Sequence, residues 1–349
     1  MLIYTLRVER LQKETADTLT IFFKQPALKK VRYKAGQYLT LIFRINGRRY
    51  IRPYSFSSAP CIDSTLNVTI KRVQGGVVSN HILDKLNVGD IIEVLEPMGD
   101  FILDKISDKV KNKHIILWGS GSGITPLMSI AKFALNSAEY EHVTLVYGNR
   151  SFETTIFSEQ IKELQQLNKE RFSIWRFYTK AIIKEDNPYI IQGRIEPGKV
   201  LKVIQNEVDI KNTTHYICGP IGLKDSVKTE LVKLNVPYEN IFAEDFEVTR
   251  DPKEFEDIFT RNVAITLDGQ STAFEVAKGK SILEAGLDAM LELPYSCQTG
   301  SCLLCKATLT GGKIKTIGIA ELPAELHDNE CLLCCSFPLT DNVEVLINN

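Results

Sequence analysis

The hydrophobic positions of this chain change their period twice. From residue 1 to about 104 they come in short alternating runs cut by turn residues: "LTIFF", "QYLTLIFRING", "RRYIRPYSFSSA", "TLNVTIKRV" and "DIIEVLEPMGDF". A period of two, punctuated by Gly, Pro and Asp, predicts short strands of an antiparallel barrel or sandwich. One helix is expected there, "SNHILDKL", beginning at Ser79. Between 111 and 245 the runs become continuously apolar ("HIILWGS", "VTLVYGN", "RFSIWRFYT", "THYICGP") and alternate with amphipathic stretches such as "TPLMSIAKFAL" and "SEQIKELQQL". Strands buried on both faces and interleaved with helices predict parallel βαβ units. After a charged, proline-bearing stretch, "EVTRDPKEFEDIFTR", short strands return with one helix, "SILEAGLDAM".

The expected organisation is an antiparallel β-barrel over 1–106, an α/β domain with a parallel sheet over 107–246, a linker at 247–259 and a compact unit over 260–349. A chain of 349 residues accommodates two or three domains. The formal net charge of −1 gives no reason to expect nucleic acid or an anionic membrane as partner. No apolar run approaches the ~18–20 residues of a membrane span. The N-terminal residues alternate and carry charges every few positions, unlike a signal peptide. A cytoplasmic, reducing location is therefore expected, where eight cysteines argue for metal or redox chemistry over disulfides.

Six of the eight are clustered, in "CQTGSCLLC" (297–305) and "CLLCC" (331–335). The two C-x₂-C pairs, 302/305 and 331/334, resemble a zinc ribbon, but that reading leaves Cys297 without a role. Cys297-x₄-Cys302-x₂-Cys305 with a distant fourth cysteine is the plant-type [2Fe–2S] spacing. Ser296, Thr299, Gly300 and Ser301 keep the loop small enough for backbone N–H groups to reach the sulfurs.

Two further stretches carry chemistry. "RPYSFSS" (52–58) sets a cation, Arg52, and an aromatic ring, Tyr54, on one face of a strand, as a flat phosphate-bearing cofactor requires. "GGVVSNHI" (75–82) follows, with Gly75 and Gly76 permitting close approach and Ser79 expected at a helix N-cap. "WGSGSGITPLMSI" (118–130) then places Gly119, Gly121 and Gly123 between a strand and a helix expected to begin near Thr125 and Pro126, a setting suited to a pyrophosphate. Arg150 and Ser151 end the next strand, where a cation suits an adenosine 2′-phosphate and favours NADPH over NADH. Cys218, Gly219 and Pro220 end another; an apolar strand cysteine is, generically, simply buried.

Together "RPYS", "GGVVS" and "GDIIEVLEPMGDF" resemble the flavin-binding half of the ferredoxin–NADP reductase superfamily, and "VAKGKSILEAGLDAMLELPYSCQTGSCLLC" resembles a plant-type ferredoxin domain of β-grasp form. The resemblance implies FAD rather than FMN, held at Arg52, Pro53, Tyr54, Ser55, Gly75, Gly76 and Ser79. It implies nicotinamide beside Cys218, and places Glu244 and Phe246, from "AEDF", beside the flavin. Ser55, Cys218 and Glu244 are the expected catalytic residues. Cys334 matches the fourth cluster ligand; Cys335 matches a neighbouring non-ligand and Cys331 is the fallback. The domain order is similar to reductase components of multicomponent oxygenases, of the phenylacetyl-CoA epoxidase and ketosteroid hydroxylase type. It implies passage of electrons from NADPH or NADH through FAD and the cluster to a protein acceptor. A flavin reductase feeding a soluble ferredoxin or haem protein, and a zinc-stabilised interaction protein with relic reductase domains, are the alternatives.

Overall fold

The computed structural model of the chain describes residues 2–27, 30–103, 114–180, 187–205, 210, 213–246, 248, 250–319 and 322–347. The expected boundary at 106/107 lies outside these residues, as do positions 247 and 249 of the expected linker. They fall into two compact units, one formed by residues 1–41 and 54–245, the other by 42–53 and 246–349.

The first sheet contains β1 (Ile3–Thr15), β2 (Thr18–Phe23), β3 (Tyr38–Ile45), β4 (Arg48–Ser55), β5 (Leu66–Lys71) and β6 (Ile91–Leu95), in the order β4-β3-β6-β1-β2-β5. β1 pairs antiparallel with β2 and β6, and β2 with β5. A bridge between Phe56, just past β4, and Val68 of β5 joins the two outer strands, so the sheet curls into the expected barrel. Alternate side chains such as Leu6, Val8, Ile21, Phe23, Val68 and Ile70 fill it.

Helix α1 (Val77–Lys85) begins two residues before the expected Ser79. Gly76 is its N-cap, and Ser79 lies inside the first turn, buried. The hydroxyl that was expected to cap the helix accepts the Val73 N–H instead, at 3.0 Å, and so closes the glycine turn onto the helix. A Cβ on Gly76 would meet that hydroxyl at 2.8 Å, which accounts for the glycine.

The second sheet is parallel throughout: β7 (His114–Ser120), β8 (His142–Asn149), β9 (Phe172–Tyr178), β10 (Ile190–Gln192), β11 (Thr213–Cys218) and β12 (Ile241–Glu244), ordered β10-β9-β8-β7-β11-β12. Neighbouring residues of β7 serve opposite faces. Ile115 and Leu117 pack with α2 (Ile124–Asn136) and α3 (Ser158–Leu167), whereas Ile116 and Trp118 pack with α4 (Pro197–Gln205) and α5 (Ile221–Lys233). Helices on both faces explain why these strands read as unbroken apolar runs. The chain runs outward from β7 to β10 and then returns to β11 on the other side of β7, so the order reverses between β7 and β11. Such a switch point opens a crevice beyond the carboxyl ends of the two strands.

The third region is a β-grasp sheet of β13 (Arg261–Leu267), β14 (Gln270–Val276), β15 (Lys306–Gly311), β17 (Glu330–Leu332) and β19 (Val343–Ile347), ordered β14-β13-β19-β15-β17, with β13 and β19 parallel. A two-stranded ribbon pairs β16 (Ile314–Thr316) with β18 (Ser336–Pro338). Helix α6 (Ile282–Asp288) starts in a capping box: Glu284 N–H donates to Ser281 Oγ and the Ser281 N–H donates to the Glu284 carboxylate. Of the expected linker, residues 250–258 pack against this region, with Phe255 edge-on to Phe337 and Ile258 buried.

Candidate functional site

The β7 and β11 turns meet at the switch point. Gly123 lies so close to the end of β11 that a Cβ there would stand 2.1 Å from the Cys218 carbonyl oxygen. Gly119 is confined by the Leu127 side chain, which a Cβ would approach to 2.9 Å. Gly121 alone faces open space, at a φ of +55°. Of the three glycines, two serve packing and one lies bare for close approach by a ligand. The helix starts at Ile124, one residue before expectation; Thr125 and Pro126 are buried in its first turn, the Thr125 hydroxyl donating to Ser122 O at 3.1 Å. Gly219 and Pro220 form the turn from β11 into α5, with Pro220 exposed at its N-cap. Arg150 is exposed just past β8, and Ser151 N–H donates to Thr154 Oγ1 at 3.0 Å in the turn that follows.

Cys218 and Glu244 are register partners on β11 and β12. The Ser55 hydroxyl stands beside the Glu244 carboxyl and draws it down, so three residues expected to be catalytic come together. Glu244 Oε2 is shielded from solvent and has no hydrogen-bond partner among the described residues. Burial chiefly, and then the neighbouring Asp245 carboxylate, push Glu244 up to about 8 against the pull of Ser55. Burial first, then Glu244 and Asp245, push the Cys218 thiol well above its usual range. Both shifts favour the protonated forms. Lys224 pairs with Asp245 and balances the remaining charge; neither residue stands out in the sequence. Phe246 is exposed.

Tyr54 is half-buried at the end of β4. Arg52 lines a cavity of about 290 Å³ whose wall also carries Arg48, Arg49 and Lys280, against the carboxylates of Glu284 and Asp288. Four cations to two anions make this a wall fit for phosphate. Arg48, Arg49 and Lys280 were missed at the sequence level, because exposed charges in strands and turns carry no motif.

The cysteine loop has positive φ at Gln298 (58°), Gly300 (84°) and Leu303 (60°), which turns successive N–H groups inward. Thr299 N–H and Cys302 N–H both donate to Cys297 Sγ at 3.4 Å. The Cys302 thiol also donates to Cys297, and these bonds, the Cys302 thiol foremost, hold Cys297 down to about 4. Cys305 donates to Cys334. Cys335 Sγ lies 3.5 Å from Cys334 Sγ and packs against Gly300, and Cys331 turns to Ser336. Among the described residues no three of His, Cys, Asp or Glu close around a single ion. Two thiol pairs, 297/302 and 305/334, instead fit a two-iron rhomb that takes two thiolates per iron. Thiolate-directed N–H groups at Cys297 complete that fit.

A curled antiparallel sheet with a phosphate-fit wall, a parallel sheet with a nucleotide crevice and a β-grasp cysteine loop define a modular flavin, pyridine-nucleotide and iron–sulfur oxidoreductase. Family profiles agree: the oxidoreductase FAD-binding domain matches residues 5–102, the oxidoreductase NAD-binding domain 117–229 and the 2Fe-2S iron-sulfur cluster binding domain 265–339. The last match decides the cysteine question for iron and sulfide over zinc. The ferredoxin reductase component of 3-ketosteroid-9-alpha-monooxygenase from Rhodococcus rhodochrous is 30% identical over 358 residues, covering 97% of this chain and 95% of that one. A subunit of the 1,2-phenylacetyl-CoA epoxidase of Escherichia coli (strain K12) is 28% identical over 352 residues, covering 98% and 97%. Phthalate dioxygenase reductase shares the fold, with a TM-score of 0.70 at 23% identity over 99% of this chain and 98% of that one. The chain belongs to the family of ferredoxin-reductase-type oxidoreductases that carry FAD, bind NAD(P)H and end in a [2Fe–2S] domain. Among the described residues no helix is long and apolar enough to cross a membrane.

Proposed function

We propose that this protein oxidises NADPH in preference to NADH and delivers single electrons to a separate oxygenase component. One observation carries the reading of the reactive centre: Glu244 is the register partner of Cys218 at the mouth of the nucleotide crevice, with Ser55, on the strand that carries the flavin motif, beside it. A flavin held here would supply the exchange between two-electron hydride chemistry and one-electron transfer. The chain's own residues prepare the place. Cys218 stays a neutral thiol and forms an apolar, polarisable wall for the nicotinamide ring. Ser55 orients the Glu244 carboxyl, whose protonated oxygen holds a proton within a water-poor site. Gly121 lets the pyrophosphate approach the start of α2, and Arg150 meets the 2′-phosphate. Arg52, which lines the cation-rich cavity, would hold the flavin phosphates, and Tyr54 would pack on the ring. Cys297, Cys302, Cys305 and Cys334 hold the cluster, a choice supported by the two thiol pairs. The oxygenase acceptor is supported by the relatives from Rhodococcus rhodochrous and Escherichia coli, each a component of an oxygenase or epoxidase system.

Anaerobic titration with NADPH and then NADH tests this reading. NADPH bleaches both flavin and iron–sulfur absorption, and Arg150→Gln lowers kcat/KM for NADPH by about tenfold while leaving NADH unchanged, as loss of a charge-assisted phosphate contact requires. Equal use of both nucleotides by the unaltered protein refutes the NADPH preference.

A further inference from the structure

The tip of the first sheet and the ferredoxin region form one compact unit, residues 42–53 with 246–349. β4 is the outermost strand of its sheet, so among the described residues one of its edges has no neighbouring strand. In extended backbone the N–H and C=O of one residue point to the same side. Both groups of Ile51 are engaged outside the ladder: its N–H donates to the Tyr295 phenol oxygen at 3.1 Å, and its carbonyl accepts from Arg52 Nη1 at 2.8 Å. Ile51 and Tyr295 are both buried, 1% and 3% exposed. Tyr295 thus takes the place of a missing strand partner. It stands two residues before Cys297, and Ile51 stands immediately before Arg52, Pro53, Tyr54 and Ser55. Nearby, Asp288 accepts Arg48 at 2.7 Å and Lys280 at 2.5 Å, both partly exposed.

We infer that Tyr295 is a positioning residue which, through its bond to the Ile51 amide, fixes the cluster loop to the flavin-bearing strand and so sets the rate of electron passage from flavin to cluster. This rests on the proposed electron route. The bond is buried, directional and made to main chain, so it indexes one loop against one strand residue. The Arg48–Asp288–Lys280 group is solvated and supplies attraction without register. Electron transfer falls steeply with separation, so a loop free to drift by an ångström or two spends less time at the productive distance. The phenol holds no electron or proton in this scheme.

Tyr295→Phe keeps the ring and removes the acceptor. In the apo-protein, amide exchange at Ile51 then rises about tenfold, as loss of one buried hydrogen bond requires, with the rest of the exchange map unchanged. In the holoenzyme mixed anaerobically with NADPH, flavin bleaching keeps its rate, iron–sulfur bleaching slows severalfold, and the cluster's paramagnetic spectrum and midpoint potential stay as in the unaltered protein. Faster exchange with unchanged cluster reduction makes the bond merely structural and overturns the inference, as does unchanged exchange. A change in the cluster's own spectrum or potential with no faster exchange at Ile51 also overturns it. If Tyr295→Phe does not fold, 3,5-difluorotyrosine at 295 keeps the shape and weakens the acceptor; both readouts move the same way by a smaller factor, and no movement in either overturns it. If the unaltered holoenzyme passes no electrons from NADPH to the cluster, the proposed route fails. The exchange measurement still reports on the bond itself.

Discussion

Cys218 ends β11 with its thiol enclosed by apolar side chains and beside Glu244 and Asp245, so burial and then the two carboxyls drive it upward. Cys297 sits in a loop where the Cys302 thiol and the amides of Thr299 and Cys302 converge on its sulfur and drive it down to about 4. The residue type is the same and the backbone differs. In β11 the residues from His215 to Cys218 pair with both β7 and β12, so the backbone leading to Cys218 is committed to the sheet. In the loop, positive φ at Gln298, Gly300 and Leu303 breaks the extended path and frees amides for the thiolate. A strand favours a neutral thiol that packs, and a nest-like loop favours the thiolate.

The sharpest way to break this contrast is to exchange the two thiols for hydroxyls. Cys302→Ser abolishes iron and sulfide and cuts cytochrome c reduction on the order of 100-fold, at least what loss of a supporting ligand contact costs, while NADPH-driven ferricyanide reduction persists. Cys218→Ser leaves iron content unchanged and alters only the hydride step. Metal analysis and the two acceptor assays separate these outcomes.

A second test concerns the backbone that holds Cys218. Gly123→Ala drives a Cβ into the Cys218 carbonyl and destabilises the nucleotide domain by about 3 kcal/mol, the upper end of overpacking costs. Gly121→Ala meets no atom and costs only the ~1 kcal/mol of a left-handed residue. Both tryptophans, Trp118 and Trp175, lie in this domain, so a urea melt followed by their fluorescence reports on it alone. Equal effects of the two substitutions would deny that the glycines have different tasks.

The smallest effect is a pH dependence. Glu244 binds its proton more tightly in the folded chain, at about 8, than at its ordinary 4.5, so its stabilising contribution is complete below 4.5 and is lost as pH rises through about 8. Glu244→Gln, neutral at every pH, removes that loss. Its Tm relative to the unaltered protein rises by a few degrees between about pH 6 and about pH 9, read by calorimetry, and a flat difference contradicts the assigned protonation.

The spacing of Cys297, Cys302 and Cys305 was legible because a loop that wraps a cluster is a local object, complete within nine residues. The choice of Cys334 over Cys335 came only from the resemblance, since spacing does not say which thiol of an adjacent pair meets Cys305 across the fold. The parallel sheet was legible from apolar runs whose alternate residues, such as Leu117 and Trp118, enter different cores. Ser79 was misread as a cap because its hydroxyl had a nearer amide, that of Val73, and only the glycine turn brings that amide within reach. Asp245, Arg48 and Tyr295 lie inside quoted stretches but were given no role, and Lys224 carried no signal. Each acquires its meaning from a partner distant in the chain, and such pairings have no period.

The way β4 is finished also bears on how this chain can be divided. Proteolysis or cloning at the junction near 246 removes Tyr295 from Ile51 and leaves that main-chain N–H on an outer strand without its partner. An unpartnered strand edge is a template on which another chain can add a strand. The severed front portion is therefore the fragment that self-associates, and the whole chain is the stable unit for handling and storage.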